Sequence, residues 1–293
     1  MSIVFNSECL ECHFTKNLQT ARALGTDAQA KEFALGLMKI YLDAPDWAGS
    51  PWFGPGTNEL FHKIYGLDLD RFKAEKEESN RFVLERLDQI RAKAESASDP
   101  VYAGLQLAIL GNYIDFSALH GEVSFEKLEE MLAQAEQMEP DKVSYLSLCA
   151  DLEQGKKLLY LTDNAGEIGF DRIFAEQIHK KYPHLEITFC VRGGPILNDA
   201  TREDAALVGI PFPVIDNGCP IAGTQLEMLG DEARQAMNEA DVIISKGQAN
   251  VETLYGCGYN VYYAFLVKCA RFIQVFNRPK LTPMLVKEKQ ATE

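Results

Sequence analysis

Leu158-Leu159-Tyr160-Leu161-Thr162-Asp163-Asn164-Ala165-Gly166-Glu167 is the stretch from which the fold can be read. An apolar run ends in an Asp-Asn pair, and the chain then turns through glycine into a segment of helical periodicity, so a strand, a tight turn and a helix start follow one another directly. The same arrangement returns twice. Ile187 to Val191 leads into Gly194-Pro195-Ile196-Leu197-Asn198-Asp199, and Val242-Ile243-Ile244 leads into Ser245-Lys246-Gly247-Gln248-Ala249-Asn250. In an open parallel sheet the carboxyl ends of the strands share one edge, so residues far apart in sequence converge there. Three polar strand ends on one edge predict an active site.

Working outward, short apolar runs alternate with helical segments from about residue 156 onward. The pattern predicts strands near 157–162, 186–191, 212–215, 241–245 and 261–266, with helices near 168–181, 200–208, 225–239 and 250–257. Alternation of this kind implies an α/β fold whose mainly parallel sheet is covered by helices on both faces. Met284-Leu285-Val286 extends a last strand, and Lys287 to Glu293 reads as a frayed tail.

The first half reads as helical. Ser7 or Asn6 caps a helix from Glu8 to Leu24 that Gly25 stops, and apolar spacing predicts another over Lys31 to Leu42. Asp46 to Thr57, rich in proline and glycine, is expected to be a loop, whose Trp47, Trp52 and Phe53 fit either a lid or ordinary packing. A long amphipathic helix is expected over Asp70 to Glu95, its charges forming a solvated face. Asp99 to Phe116 reads as a buried helix interrupted near Gly111, and Ser124 opens a helix from Phe125 to Met138. The expected division is a helical part over 1–155 and an α/β/α part over 156–293.

The chain has 293 residues, 46% of them hydrophobic, which suffices for a packed core. A formal net charge of −14 opposes non-specific binding to nucleic acid or an anionic membrane, both of which require a cationic surface. No apolar run reaches the roughly 18 residues that a membrane span needs. The first residues show neither the basic start nor the apolar core of a secretory signal, so the expected address is the cytoplasm. Seven cysteines, an odd number, are expected to be reduced thiols rather than a disulfide framework. Cys9-x-x-Cys12 has the spacing of half a zinc site, but a redox pair or two inert thiols fit it equally.

Asp163, Asn164 and Asp199 offer hard oxygen donors suited to magnesium, manganese or a similar divalent ion. Glu167 and Asp171, four residues apart, share a helix face, where one can orient water or a substrate hydroxyl. Lys246 and Arg192 follow strands and can present positive charge to an anionic group. A divalent cation combined with Lys or Arg is the recurring clamp for a phosphoryl group. The expected chemistry is metal-assisted phosphoryl transfer to water.

At these motifs the chain resembles the metal-dependent damage-control phosphatases, a family first catalogued as a domain of unknown function. The resemblance rests on Asp163-Asn164-Ala165-Gly166-Glu167 with Asp171, on Pro195 to Thr201, and on Lys246 to Asn250 with Glu252 and Leu254. Gly111-Asn112 with Asp115, Lys268-Cys269 and Cys9-Leu10-Glu11-Cys12 add to it, the last pointing to the branch with an N-terminal CxxC. It implies a helical part before an α/β/α sandwich, and hydrolysis of phosphate monoesters of small metabolites by manganese, cobalt, nickel or magnesium. The resemblance implies that Asp163, Asn164 and Asp199 hold metal and that Lys246 contacts phosphate. With the reading of the residues, the expected catalytic groups are Asp163, Asp199 and Glu167, and the expected substrate-binding groups Asn164, Arg192, Asn198 and Lys246. A haloacid-dehalogenase phosphatase would carry a second Asp at position 165, where this chain has Ala165, so Asp163 is expected to act as a ligand and not as a nucleophile. An S-adenosylmethionine-dependent carboxyl methyltransferase would need a glycine cradle after the first strand, and Asp163 to Glu167 is too rich in carboxylate for one. A metabolite-binding protein without turnover is the non-enzymatic alternative.

Overall fold

The computed structural model describes residues 5–115 and 124–288, so Phe116 and the tail from 289 lie outside the described residues. Among the described residues, eight helices come first: α1 (Ser7–Leu24), α2 (Asp27–Leu42), α3 (Phe53–Tyr65), α4 (Lys73–Leu84), α5 (Leu87–Glu95), α6 (Pro100–Gly111), α7 (Phe125–Ala133) and α8 (Lys142–Gln154). Strands and helices then alternate through β1 (Lys157–Leu161), α9 (Glu167–Lys181), β2 (Glu186–Val191), α10 (Arg202–Leu207) and β3 (Val214–Asp216). The chain ends with α11 (Asp231–Glu239), β4 (Val242–Lys246), α12 (Gly247–Leu254), β5 (Val261–Leu266), α13 (Ala270–Phe276) and β6 (Pro283–Lys287). Among the described residues, no helix is long and apolar enough to cross a membrane.

The strands form one sheet in the order β3-β2-β1-β4-β5-β6, parallel except for β6, which runs antiparallel to β5. After β1 the chain builds outward through β2 and β3, then returns to place β4 on the other side of β1. The gap between β1 and β4 is therefore the topological switch point, where crossovers leave in opposite directions and open a crevice. Asp163 follows one of these strands and Lys246 ends the other.

Strand side chains alternate between two apolar layers, as the two-residue period requires. Leu158, Tyr160, Ile187, Phe189 and Ile244 face a core shared with α4 to α9, whereas Leu159, Leu161, Ile243, Tyr263 and Phe265 face α11 to α13. The expected α/β/α sandwich is present, but a boundary at 155/156 does not divide the cores. One cluster runs from Phe82 to Leu285. The reason is geometric: a sheet buried on both faces needs cover, and the second half supplies one layer while α4 to α8 help supply the other. A separate small cluster of Ala21, Phe33, Leu37 and Phe61 belongs to α1 to α3.

Several elements differ from their expected limits. The 70–95 helix is two, because Arg86 leaves helical geometry (φ −115°, ψ 0°) and turns its guanidinium onto Phe82 and Glu129. The expected loop over Asp46 to Thr57 contains a 3₁₀ turn at Ser50–Trp52 and then enters α3, because Pro51 and Pro55 fall in first turns that need no amide donor. Phe53 is buried there against Phe5, His13 and Tyr41, so its role is packing. The 225–239 helix begins only at Asp231, after a 3₁₀ turn and Gly230.

Helix α6 carries the sheet's first layer toward the site. Asp99 caps it by accepting from the Tyr102 amide, and Pro100 occupies its first position. Its glycines allow close approach to α9: a methyl at Gly104 would lie 3.1 Å from the Phe174 Cα, and one at Gly111 only 2.8 Å from the Phe170 ring. Asn112, at the end of α6, is thereby delivered to the switch point.

Candidate active site

The turn after β1 is held from both sides. Its neighbour, the loop from Gly193 to Asp199, is stitched to it by hydrogen bonds from Ala165 N to Asn198 O (2.9 Å) and from Ala200 N to Asp163 O (2.7 Å). Asn164 and Asp199 consequently stand opposite one another as a bridge pair. Leu197 immediately before them has φ 47°, a strained conformation for a branched residue of the kind that clusters at functional sites. From the other side, Asn80 on α4 accepts from Gly166 N (2.7 Å) and donates to Asp204, which also pairs with Lys76 at 2.9 Å.

Asp163 lies on the floor of this edge, buried. Its Oδ2 accepts from Asn112 (3.0 Å) and Asn164 (2.8 Å), while Oδ1 has only a 3.5 Å approach from Arg192. Arg192 commits its Nε to Asp199 Oδ2 at 2.6 Å. Asn164 and Asp199 each keep an Oδ1 that receives no hydrogen bond among the described residues. Asn198 donates to the Ile114 carbonyl, and its Oδ1 is buried without a partner among the described residues.

Lys246 and Glu167 take other places than expected. The Lys246 ammonium is fully buried and donates to Glu167 Oε1 (2.7 Å), Asp171 Oδ1 (2.6 Å) and the Ala108 carbonyl (2.8 Å). Those three acceptors use its three protons, leaving none for a substrate phosphate. Glu167, also fully buried, accepts from Lys246, from the Asn112 and Asn164 side chains and from the Asn164 amide. It is a support beneath Asp163 and Asn164 rather than a group open to water. Asp171 completes this support and accepts from Tyr160 at 2.9 Å.

The electrostatics show what the floor lacks. Among the described residues, five buried carboxylates (Asp115, Asp163, Glu167, Asp171, Asp199) meet three buried cations (Arg192, Lys246, Lys268), a formal surplus of two negative charges. Burial, then the charges of Glu167 and Asp199, push the Asp163 carboxyl well above the usual range. Burial likewise raises Asp199 to about 6 and Asp171 to about 7, against the opposing pull of Arg192 and Lys246 respectively. For Lys246, burial disfavours the charged form, but Asp171 and Glu167 outweigh it and its pKa rises.

A divalent cation fits this chemistry. Its charge equals the surplus, and Asp163, Asn164 and Asp199 supply oxygens that few protein donors claim. Among the described residues, no three His, Cys, Asp or Glu side chains form a closed cage for a metal. Two carboxylates and an amide suit instead an ion that retains water. Among the described residues, no cluster of metal-ligating side chains surrounds Cys9 and Cys12, and all seven cysteines are free thiols.

Gly247 makes room for Asp163. Its φ of 76° favours glycine, and a methyl there would stand 1.9 Å from Asp163 Oδ2. Gly247→Ala is expected to cost more than about 2 kcal/mol, the left-handed strain alone being 1–2 kcal/mol, and to displace the carboxylate. A melting temperature and metal affinity equal to those of wild type would contradict this.

Sequence reasoning singled out Asn112, Asp115 and Lys268 without assigning roles, and missed Lys76, Ser79 and Asn80. The charge pattern of 70–95 predicts a solvated face for these three, yet they are nearly fully buried. Their signal was available: positions 76, 79, 80 and 83 share one helical stripe with the apolar Val83.

The chain matches the damage-control phosphatase ARMT1-like domain over residues 5–280. It is 33% identical to an uncharacterized protein of Methanocaldococcus jannaschii, over 92% of this chain and 90% of that one. A damage-control phosphatase of Pyrococcus horikoshii is 37% identical over 60% of this chain and 61% of its own, and one of Archaeoglobus fulgidus is 34% identical over 66% of each. The crystal structure of a DUF89 family protein from Pyrococcus horikoshii superposes with a TM-score of 0.79 at 28% identity, covering 97% of this chain and 99% of that one.

Proposed function

Because this chain belongs to the damage-control phosphatase ARMT1-like family, we propose that it hydrolyses phosphate monoesters of small metabolites with the help of a divalent metal ion. Asp163, Asn164 and Asp199 would hold the ion. The observation that carries this reading is the buried surplus of two negative charges beside these three residues at the β1/β4 switch point. When bound, manganese, cobalt, nickel or magnesium would polarise a phosphoryl oxygen and acidify water.

The protein's own contribution is a stiff, charged floor. Arg192 braces Asp199, and Asn112 holds Asp163 and Glu167 together while its side-chain Oδ1 accepts from Leu266 N at 3.1 Å. Asn112 therefore cannot rotate without breaking a strand-end hydrogen bond. Asp199 keeps an Oδ1 that receives no hydrogen bond among the described residues and would take a proton from the attacking water there. Asn198 Oδ1 is a further acceptor for a hydroxyl or water at the same edge.

The test is purified protein with p-nitrophenyl phosphate, sugar phosphates and nucleotides, each with manganese, cobalt, nickel or magnesium and with chelator. Phosphate release is expected with at least one metal and is expected to vanish in chelator. Equal release in chelator would remove the metal from the reaction, and no release from any ester would remove the phosphatase reading.

A further inference from the structure

The buried polar group on α4 takes no part in the chemistry proposed above, yet it joins the two segments that carry the metal donors. Gly166 opens α9 with φ 75° and, being glycine, has no side chain with which to cap that helix. Its amide is satisfied from another layer, by Asn80 Oδ1 at 2.7 Å. Helix α4 also lies directly against this turn: a methyl on Gly166 would stand 2.7 Å from Ser79 Cβ and 3.1 Å from the Ser79 carbonyl.

The other end of Asn80 reaches the second segment. Its Nδ2 donates to Asp204 Oδ1 at 2.7 Å, while Asp204 Oδ2 accepts from the Thr201 amide (2.8 Å) and hydroxyl (2.9 Å) and pairs with Lys76. The two oxygens of Asp204 thus have separate duties: Oδ2 caps α10, and Oδ1 serves Asn80. Gly166 stands two residues after Asn164, and Thr201 two after Asp199, so a single amide group spans the segments whose placement sets the distance between Asn164 and Asp199. Among the described residues, Lys76, Asn80 and Asp204 form no hydrogen bond or ion pair with Asp163, Asn164 or Asp199, so they act on these donors through the backbone. A buried ion pair adds little stability over apolar side chains of its volume, whereas a fully satisfied polar network stiffens what it joins.

We propose that Asn80, oriented by Asp204, is a positioning residue of the metal site and holds the Asn164 and Asp199 segments at the separation the ion requires. The proposal rests on the metal-dependent reading and extends the site to the helical layer. Misplacing reacting groups by about 1 Å costs on the order of a hundredfold in rate, so a hydrogen bond remote from the chemistry has a measurable effect on it.

The test is a hydrogen-bond exchange. Asn80→Asp sets two carboxylates against each other. In Asp204→Asn the new amide must keep its oxygen on Thr201, and whichever way Asn80 then turns, one N–H meets another. The double variant Asn80→Asp/Asp204→Asn restores every hydrogen bond with the donor on the opposite side. Manganese affinity is measured by calorimetry on metal-free protein, together with the metal-free melting temperature and with kcat and KM for p-nitrophenyl phosphate at saturating manganese. Each single variant is expected to lose about tenfold or more in both manganese affinity and kcat, with KM little changed, and the double variant to recover most of both. A single variant that melts lower but binds manganese and turns over within twofold of wild type would overturn the proposal, because the network would then serve stability alone. A double variant no better than the single variants would overturn it as well. Should Asn80→Asp not fold, Asp204→Asn against the double variant decides in the same way. Wild type that binds no manganese removes the metal reading and this one together, whereas wild type that binds it without recovery in the double variant removes this one alone.

Discussion

Asp163→Asn is expected to leave a folded protein that has lost at least about a thousandfold in metal-dependent phosphate release. Removing a charged ligand forfeits several kcal/mol of charge stabilisation, and about 4 kcal/mol corresponds to three decades in rate. Stability should respond differently. In the metal-free protein, burial and the neighbouring Glu167 and Asp199 already push the Asp163 carboxyl well above its usual range, so its charged form is costly there. A neutral amide of the same shape avoids that cost and can still accept from Asn112 and Asn164. The metal-free melting temperature of Asp163→Asn at pH 8 should therefore equal or exceed that of wild type. Added manganese should raise the melting temperature of wild type alone, because a ligand that binds only the folded state stabilises it by mass action. A variant that keeps both its turnover and its manganese response would show that the ion sits elsewhere.

The contrast between Asp163 and Lys246 explains which parts of the site are legible in sequence. Strand ends are local: an apolar run followed by Asp-Asn-Ala-Gly states its own geometry, and three such ends imply their meeting once the sheet is parallel. Asp163, Asn164, Arg192, Asn198, Asp199 and Lys246 accordingly come together as expected. What a side chain does there depends on partners from distant elements. Lys246 is absorbed by Glu167 and Asp171 on α9 and by a carbonyl of α6, 138 residues away in sequence. Charge patterning failed on α4 for the same reason, since Lys76 finds its counter-charge in Asp204, far along the chain. The division at 155/156 was a change in the rhythm of the sequence, whereas the core from Phe82 to Leu285 follows the need to cover both faces of a buried sheet.

Lys246→Met carries the second large effect, and it falls on the fold. The substitution keeps the length of the side chain but leaves Glu167 and Asp171 buried without their shared counter-charge. Breaking a buried pair from one side costs about 3 to 5 kcal/mol. For a chain of this size that lowers the melting temperature by roughly 10 °C. The loss should depend on pH with a definite sign. Asp171 stands at about 7 in the folded wild type, raised above the ordinary carboxylate value by burial even with Lys246 beside it. A raised carboxyl stabilises the fold while it is protonated and withdraws that contribution as pH rises through the folded pKa. Without Lys246 that pKa moves higher still, so the deficit of the variant relative to wild type should be small at pH 5 and should grow as pH rises past about 7. Adding Glu167→Gln and Asp171→Asn to Lys246→Met removes the unpaired charges, and the triple variant should regain most of the lost stability at pH 8. It should not regain activity, because Asn112 and Asn164 would lose the carboxylate that holds them beneath Asp163. Thermal unfolding followed by circular dichroism at the two pH values reads all of this. A deficit that is independent of pH, or a triple variant no more stable than Lys246→Met, would show that Lys246 acts through its packed stem and not through its charge.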